Sequence, residues 1–325
     1  EGLPHPTPFE VKTAMAFLHF RDKKCDIVVM ETGMGGLLDA TNIVEDTCVA
    51  VLTSISEDHM GFLGKTLGEI AVQKAGIIKK GCHVVTAVQA PEVMEVIVDR
   101  AASLGCPLTV ADGKAAEHVR FGLEKQRFDY GGLKKLEITL AGQYQIENAV
   151  TALEGLRALG SGDRKWAFPV PEEKLRQGMS QACWRGRFDV VGRKPYFILD
   201  GAHNEDAARR LAQSVEFYFP NRRIIYIMGM LRDKEYDKVI ELTHGLADQI
   251  ITVTPPENPR ALSAYDLAAA VARVHEKVTA ADSLEEAVEM ARLLADKEDV
   301  IIAFGSLSYL GRMMEIIGKA EGKGA

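Results

Sequence analysis

The spacing of apolar positions changes along this chain, and each change marks an expected element. Over residues 7–21 they recur at helical spacing, with Phe9, Val11, Met15, Phe17 and Leu18 among them, so a helix is predicted there. A polar loop leads to the short apolar run 27–30, which Glu31 closes. Strands are predicted at 27–31, 48–53, 83–88 and 107–111, with helices at 65–79 and 91–104. Regular alternation of this kind argues for a mostly parallel sheet covered on both faces. Over residues 117–140 the runs shorten and break at Asp129-Tyr130-Gly131-Gly132, which reads as antiparallel hairpins, either an insertion or a sheet edge. A helix follows at 142–159, then a connector rich in Gly, Ser, Asp and Pro at 160–171, and a short helix at 171–181. Alternation then resumes, with strands near 187–191, 196–200, 223–228, 249–254 and 299–304. Helices are expected near 204–217, 235–246, 263–275, 283–295 and 307–317. The fold class is therefore α/β in two domains, residues 1–182 and 183–325.

Composition agrees with two cores. The chain has 325 residues, 47% of them hydrophobic, and single cores stop growing at about 250–300 residues. Its 39 basic and 46 acidic residues give a net charge of −7, and no basic run offers phosphate neutralisation, so nucleic acid is not an expected partner. No apolar run reaches the roughly 18 residues of a membrane span, and no signal-peptide pattern opens the chain. Cys25, Cys48, Cys82, Cys106 and Cys183 are dispersed, odd in number and without C-x-x-C spacing. They read as buried thiols of a reducing, cytoplasmic setting.

Candidate chemistry gathers where predicted strands end. Glu31 opens a glycine-rich loop containing Gly33, Gly35 and Gly36. A carboxylate beside open backbone can hold a hard cation next to phosphate oxygens. Asp58 and His59 follow the next strand, and Lys74 lies on the helix after it. Taken singly, His59 reads as a core or surface histidine and Lys74 as a solvated helix lysine. Asn148, near a helix start, can offer its amide to a base or a phosphate, or serve only as a local backbone partner. In Cys183-Trp184-Arg185-Gly186-Arg187-Phe188 two arginines flank a glycine beside aromatics. Asp200-Gly201-Ala202-His203-Asn204 joins a strand end to a helix start. That arrangement suits a ribose or metal-phosphate group, while Asp200 or Asn204 can equally cap the helix. Gly305-Ser306 repeats the geometry after the last strand, as an anion cradle or as a capped junction. A P-loop is not present, since Gly64-Lys65-Thr66 would need Gly at position 59, and neither is a dinucleotide-binding G-x-G-x-x-G.

Eight blocks, in order, resemble the folylpolyglutamate synthase/dihydrofolate synthase family of the Mur ligase superfamily. They are ETGMGGLLDATN (31–42), TSISEDHMGFLG (53–64), QKAGIIK (73–79), QIENA (145–149), WRGRF (184–188), DGAHN (200–204), ENPRA (257–261) and FGSL (304–307). The resemblance implies a Mur-ligase central domain, N-terminally incomplete, followed by a Rossmann-like C-terminal ligase domain. It implies ATP-dependent addition of L-glutamate to folate or dihydropteroate through an acyl phosphate, with Mg2+, and with K+ as a further candidate ion. Carried over by position, Glu31 and His59 would be magnesium ligands, and Lys74 a carbamylated lysine that holds metal and takes part in catalysis. Asn148, Arg187 and Asp200 would contact ATP. Asp39, His203 and Ser306 would contact the other substrates, with His203 also catalytic.

The same resemblance exposes two departures. The family's nucleotide loop, G-T-N-G-K-G-[ST], lies N-terminal to everything present, and this chain starts at Glu1 rather than Met. Leu37 stands where the family usually has Arg. Two other readings stay open: a non-catalytic folate- or nucleotide-binding relative, and a muramyl-type amino-acid ligase. A monomer with a hinge near 161–186 is expected.

Overall fold

The computed structural model describes residues 5–56, 63–161 and 167–321. The chain divides into two compact units, residues 1–115 with 147–171, and residues 116–146 with 172–325.

In the first unit, helix α1 (Pro8–Lys23) begins on a capping box. The Thr7 hydroxyl accepts from the Glu10 N–H, and the Glu10 carboxylate accepts from Thr7, as the T-x-x-E spacing dictates. Strands β1 (Val49–Leu52), β2 (His83–Ala87) and β3 (Leu108–Ala111) form a parallel sheet in the order β1-β2-β3. Helices α2 (Leu67–Ala75) and α3 (Pro91–Ser103) bury Ile70, Ala71, Val93 and Ile97 against Ala50, Leu52 and Val84 of the sheet. On α4 (Tyr144–Gly160), a Cβ added at Gly155 would lie 3.4 Å from a Val51 methyl carbon.

Three expectations for this unit are corrected. Cys25, expected as a buried thiol, is exposed, as is Cys183 in the second unit, while Cys82 and Cys106 are buried. Residues 27–31 are not a strand: Val28 is 41% and Val29 94% exposed, and no described strand pairs with them. An apolar run supplies side chains for a strand, but its backbone needs a neighbour to bond to. Helix α2 ends at Ala75 rather than near residue 79. The Gln73 carbonyl, which a longer helix would offer to Ile77, accepts the Leu37 N–H at 2.7 Å instead.

The second unit contains an antiparallel sheet, β4 (Glu117–Arg120), β5 (Gln126–Tyr130) and β6 (Leu133–Ile138), so the hairpin region is an insertion and not the edge of a parallel sheet. After α5 (Glu172–Gln181) come β7 (Asp189–Arg193), β8 (Tyr196–Leu199), α6 (Glu205–Tyr218), β9 (Ile224–Met228) and α7 (Tyr236–Thr243). Then follow β10 (Gln249–Thr252), α8 (Ala264–Val271), β11 (Val278–Ala280), α9 (Leu284–Leu294), β12 (Val300–Phe304) and α10 (Leu307–Glu321). The sheet order is β11-β10-β9-β12-β8-β7, parallel except for β7.

Both faces of this sheet are buried, in strict alternation. Ile198, Tyr226, Ile250 and Ile302 join the core beneath α6, α7 and α8, while Leu199, Ile225, Ile251 and Ile301 join the core beneath α9 and α10. Continuous apolar strands are what a doubly covered parallel sheet requires. Strand β11 escaped prediction because three residues on a sheet edge carry little periodic signal. The predicted helix 235–246 gives way to a 3-10 turn, His244–Leu246, after Thr243, and the predicted helix 263–275 ends at Val271. Among the described residues no helix is long and apolar enough to cross a membrane.

Candidate active site

In the first unit the glycine-rich loop lies on the end of α2. A Cβ on Gly36 would stand 2.8 Å from the Gln73 carbonyl oxygen and 2.9 Å from that of Lys74. A Cβ on Gly76 would meet Leu37 Cα at 2.4 Å and Leu37 N at 2.7 Å. Only glycine on both sides permits this approach, and it brings the loop against the half-buried Lys74. Within the loop, the Asp39 carboxylate accepts from the N–H groups of Met34 (2.7 Å) and Thr41 (2.9 Å) and from the Thr41 hydroxyl (2.6 Å). Burial pushes the Asp39 pKa up, but the Thr41 hydroxyl and the N–H groups of Met34, Thr41 and Gly33 outweigh it and hold the carboxyl below its ordinary range. Asp39 stays ionised and organises the turn.

The Glu31 carboxylate is exposed just before this loop, and the Leu37 side chain points outward, 44% exposed. Asn148 lies exposed near the start of α4. His59, with Asp58, lies outside the described residues. Among the described residues no three His, Cys, Asp or Glu side chains converge, so no all-protein metal cage is formed by them. One exposed carboxylate on open backbone nevertheless suits Mg2+, which takes few protein ligands and keeps water and phosphate oxygens for the rest.

In the second unit, β8 and β12 run side by side, with Leu199 opposite Ala303, so both deliver their loops to the same carboxyl edge. Asp200 follows β8 and is 6% exposed. Its two oxygens accept the Phe188 N–H and the Ala202 N–H, each at 2.8 Å. Burial pushes the carboxyl up to about 6, against the lowering pull of those two N–H groups and of the Arg187 guanidinium. Asp200 therefore does not cap α6; Asn204 does, accepting from the Ala207 N–H at 2.9 Å. Arg187 packs over Gly201, where a Cβ would come within 2.6 Å of its guanidinium. Its loop turns through left-handed Gly186 and Phe188.

His203 is tied to the same turn. Its Nδ1 lies 2.7 Å from the Gly201 carbonyl oxygen. A carbonyl only accepts, so Nδ1 carries the proton and Nε2 is the acceptor of the neutral ring. After β12, Gly305 at φ +118 brings the chain against Gly229, where a Cβ would meet the carbonyl oxygen at 2.4 Å. Ser306 is buried, and its hydroxyl lies 2.9 Å from that of Ser308. Beneath it the buried Tyr309 hydroxyl donates to the Phe304 carbonyl at 2.5 Å. That carbonyl also accepts the Gly229 N–H, so Tyr309→Phe should cost only about 1 kcal/mol in denaturant unfolding, the net worth of one hydrogen bond.

The structure thus brings the loop of Asp39 to Lys74, and Arg187 to Asp200, with His203 on the same turn. Sequence reasoning missed Tyr144. Its hydroxyl is pushed up, first by burial and then by Asp200, and Arg210 sits 5.5 Å over its ring. Its place four residues before Asn148 was the available signal. Beside Arg187 a cavity of about 230 Å3 is lined by Trp184, Phe188, Thr139 and Tyr196 among others.

Comparison with known proteins covers both units. The Mur ligase middle domain family matches residues 3–155, and the Mur ligase glutamate ligase domain family matches residues 186–307. The chain is 34% identical over 316 residues to the dihydrofolate synthase/folylpolyglutamate synthase of Bacillus subtilis, covering 94% of this chain and 71% of that protein. Mycobacterium tuberculosis folylpolyglutamate synthase, solved with ADP and AMPPCP, superposes with a TM-score of 0.87 at 30% identity, over 97% of this chain and 74% of that one. Escherichia coli FolC in complex with DHPP and ADP gives 0.82 at 31% identity, over 97% and 72%.

Proposed function

The chain belongs to the folylpolyglutamate synthase/dihydrofolate synthase family of Mur ligases, and from that premise we propose that its complete gene product joins L-glutamate to a folate or dihydropteroate at the expense of ATP. The observation that carries the reading is the burial of Asp200 at the carboxyl edge of β8, bonded to the Phe188 N–H and within the field of the Arg187 guanidinium, beside His203. A carboxylate held that far from water, with its pKa displaced, marks a site where charge is put to use.

In this reading the substrate carboxylate attacks the γ-phosphorus of ATP. ADP leaves, and the acyl phosphate gains the leaving group that a bare carboxylate lacks. The glutamate amine then attacks the carbonyl carbon, phosphate departs, and the amine gives up a proton. His203 is set up for that proton, because Gly201 holds Nδ1–H and thereby presents Nε2 as the acceptor. Asn148, Arg187 and Asp200 contact the nucleotide, and Asp39, His203 and Ser306 the other substrates. Glu31, His59 and Lys74 would hold Mg2+, with Lys74 carbamylated and K+ a further ion. The metal supplies neutralisation of phosphate oxygens during transfer. Residues 1–182 act as the metal- and ATP-binding domain and residues 183–325 as the glutamate-ligase domain, in a monomeric cytoplasmic enzyme.

The test is ADP release by the complete gene product. Release is expected only when glutamate and either folate or dihydropteroate are both present. ADP formation indifferent to glutamate would overturn the reading, and a preference for muramyl acceptors would redirect it to a cell-wall ligase. Chelation with EDTA should abolish the reaction and added Mg2+ restore it.

A further inference from the structure

Asn42 closes the glycine-rich loop by three contacts, one within the loop, one to the end of α2 and one to the segment just beyond it. Its side-chain nitrogen lies 3.1 Å from the Leu37 carbonyl oxygen and 3.1 Å from that of Gly76. Its own carbonyl accepts from Lys79 Nζ at 3.0 Å. Both carbonyls facing the amide are acceptors only, and an amide NH2 carries two hydrogens, so one donor group answers both. One carbonyl belongs to the loop. The other stands at the helix end, where carbonyls lack intrahelical donors. Lys79, four residues beyond the end of α2, adds a second link from that segment to the backbone of Asn42.

These contacts are separate from the close approach of Gly36 to Gly76, and they fix what that approach alone does not. Two backbones that pass without side chains can slide along each other. A donor bonded to both prevents it. We propose that Asn42 is a positioning residue for metal binding, clamping the loop to α2 so that the Glu31 end of the loop and Lys74 keep one relative placement. The inference rests on the reading of Glu31 and Lys74 as metal-holding residues. Asn42 itself touches neither metal nor substrate. Its amide cannot be replaced by the isosteric carboxylate, because a carboxylate accepts only and would face two carbonyl oxygens.

The experiment uses the complete gene product with Asn42→Ala, Asn42→Asp and Lys79→Met. In the metal-free protein, hydrogen exchange is followed at the Leu37 amide, which bonds to Gln73. Its protection should fall about tenfold or more in Asn42→Ala, further in Asn42→Asp and less in Lys79→Met, while β2 and α3 keep theirs. In the enzyme assay, the Mg2+ concentration for half-maximal rate should rise about 10- to 100-fold in Asn42→Ala, the usual effect of losing an outer-shell support. The rate at saturating Mg2+ should be largely recovered. Wild-type exchange and an unchanged Mg2+ midpoint would overturn the proposal. So would a uniform loss of protection across the unit with an unchanged midpoint, which would make Asn42 a stability residue only. If the unmodified enzyme shows no glutamate-dependent ADP release, the functional reading fails, and the exchange arm still decides whether Asn42 clamps the loop.

Discussion

Gly76→Ala should lower kcat/KM of the complete enzyme by about 100-fold or more, because a misplacement of about 1 Å near reacting groups has that effect. The new Cβ would stand 2.4 Å from Leu37 Cα and 2.5 Å from Leu37 Cβ, so the loop between Glu31 and Asp39 must shift. The backbone itself accepts alanine, since Gly76 has φ −59. Overpacking costs about 1–3 kcal/mol, partly offset by the gain of about 1 kcal/mol from replacing glycine at a helical conformation. The melting temperature should therefore move by only a few degrees. Gly36→Ala tests the same approach from the other side, against the Gln73 and Lys74 carbonyls. Initial rates and calorimetry on both variants decide the matter. Near-normal kinetics in both would show that the loop's seat on α2 is irrelevant to turnover.

Between pH 7 and pH 5, kcat/KM for ATP should fall with an apparent pKa near 6, the value to which burial pushes Asp200. The limb should be lost in Asp200→Asn, since kcat/KM reports groups of the free enzyme. Stability carries the opposite sign. The folded-state pKa of Asp200, about 6, lies above its ordinary 3.8, so folding favours the protonated form. That contribution is complete below about pH 3.8 and is lost as pH rises through about 6, a span on the order of 3 kcal/mol. Denaturant unfolding of the wild type and Asp200→Asn at pH 4, 5, 6 and 7 isolates it as a difference. At neutral pH the ionised carboxylate is held against its solvation preference by the Phe188 and Ala202 N–H groups and by Arg187. A flat pH profile for ATP, or an unchanged one in Asp200→Asn, would remove Asp200 from the nucleotide site.

Much of this arrangement was legible in the linear order of residues. The strands β8, β9, β10 and β12 are continuous apolar runs bounded by turn residues, and all four formed where predicted. The T-x-x-E box fixed the start of α1, and Asn204 the start of α6. The loop positions of Asp200, His203 and Ser306 followed from the motifs, whereas Glu31, expected to end a strand, lies on backbone that no described strand pairs with. The partners of those side chains did not. Asp200 read as well for a helix cap as for a ligand, and only the return of residues 186–188 over the turn made it a buried acceptor for Phe188. Asn42 carried no signal of its own, because its two carbonyl partners are defined by where α2 stops.

Local sequence settled which segments become helices and doubly covered strands, because periodicity and capping act over a few residues. Tertiary structure settled whether residues 27–31 pair, where α2 ends, and what Asp200 and Asn42 touch. Each of those depends on a hydrogen-bond donor or acceptor brought from elsewhere in the chain: Phe188 lies 12 residues from Asp200, and Gly76 lies 34 from Asn42. A backbone group left without a partner is costly wherever it is buried, so the fold, rather than the residue's own neighbours, decides which partner it finds.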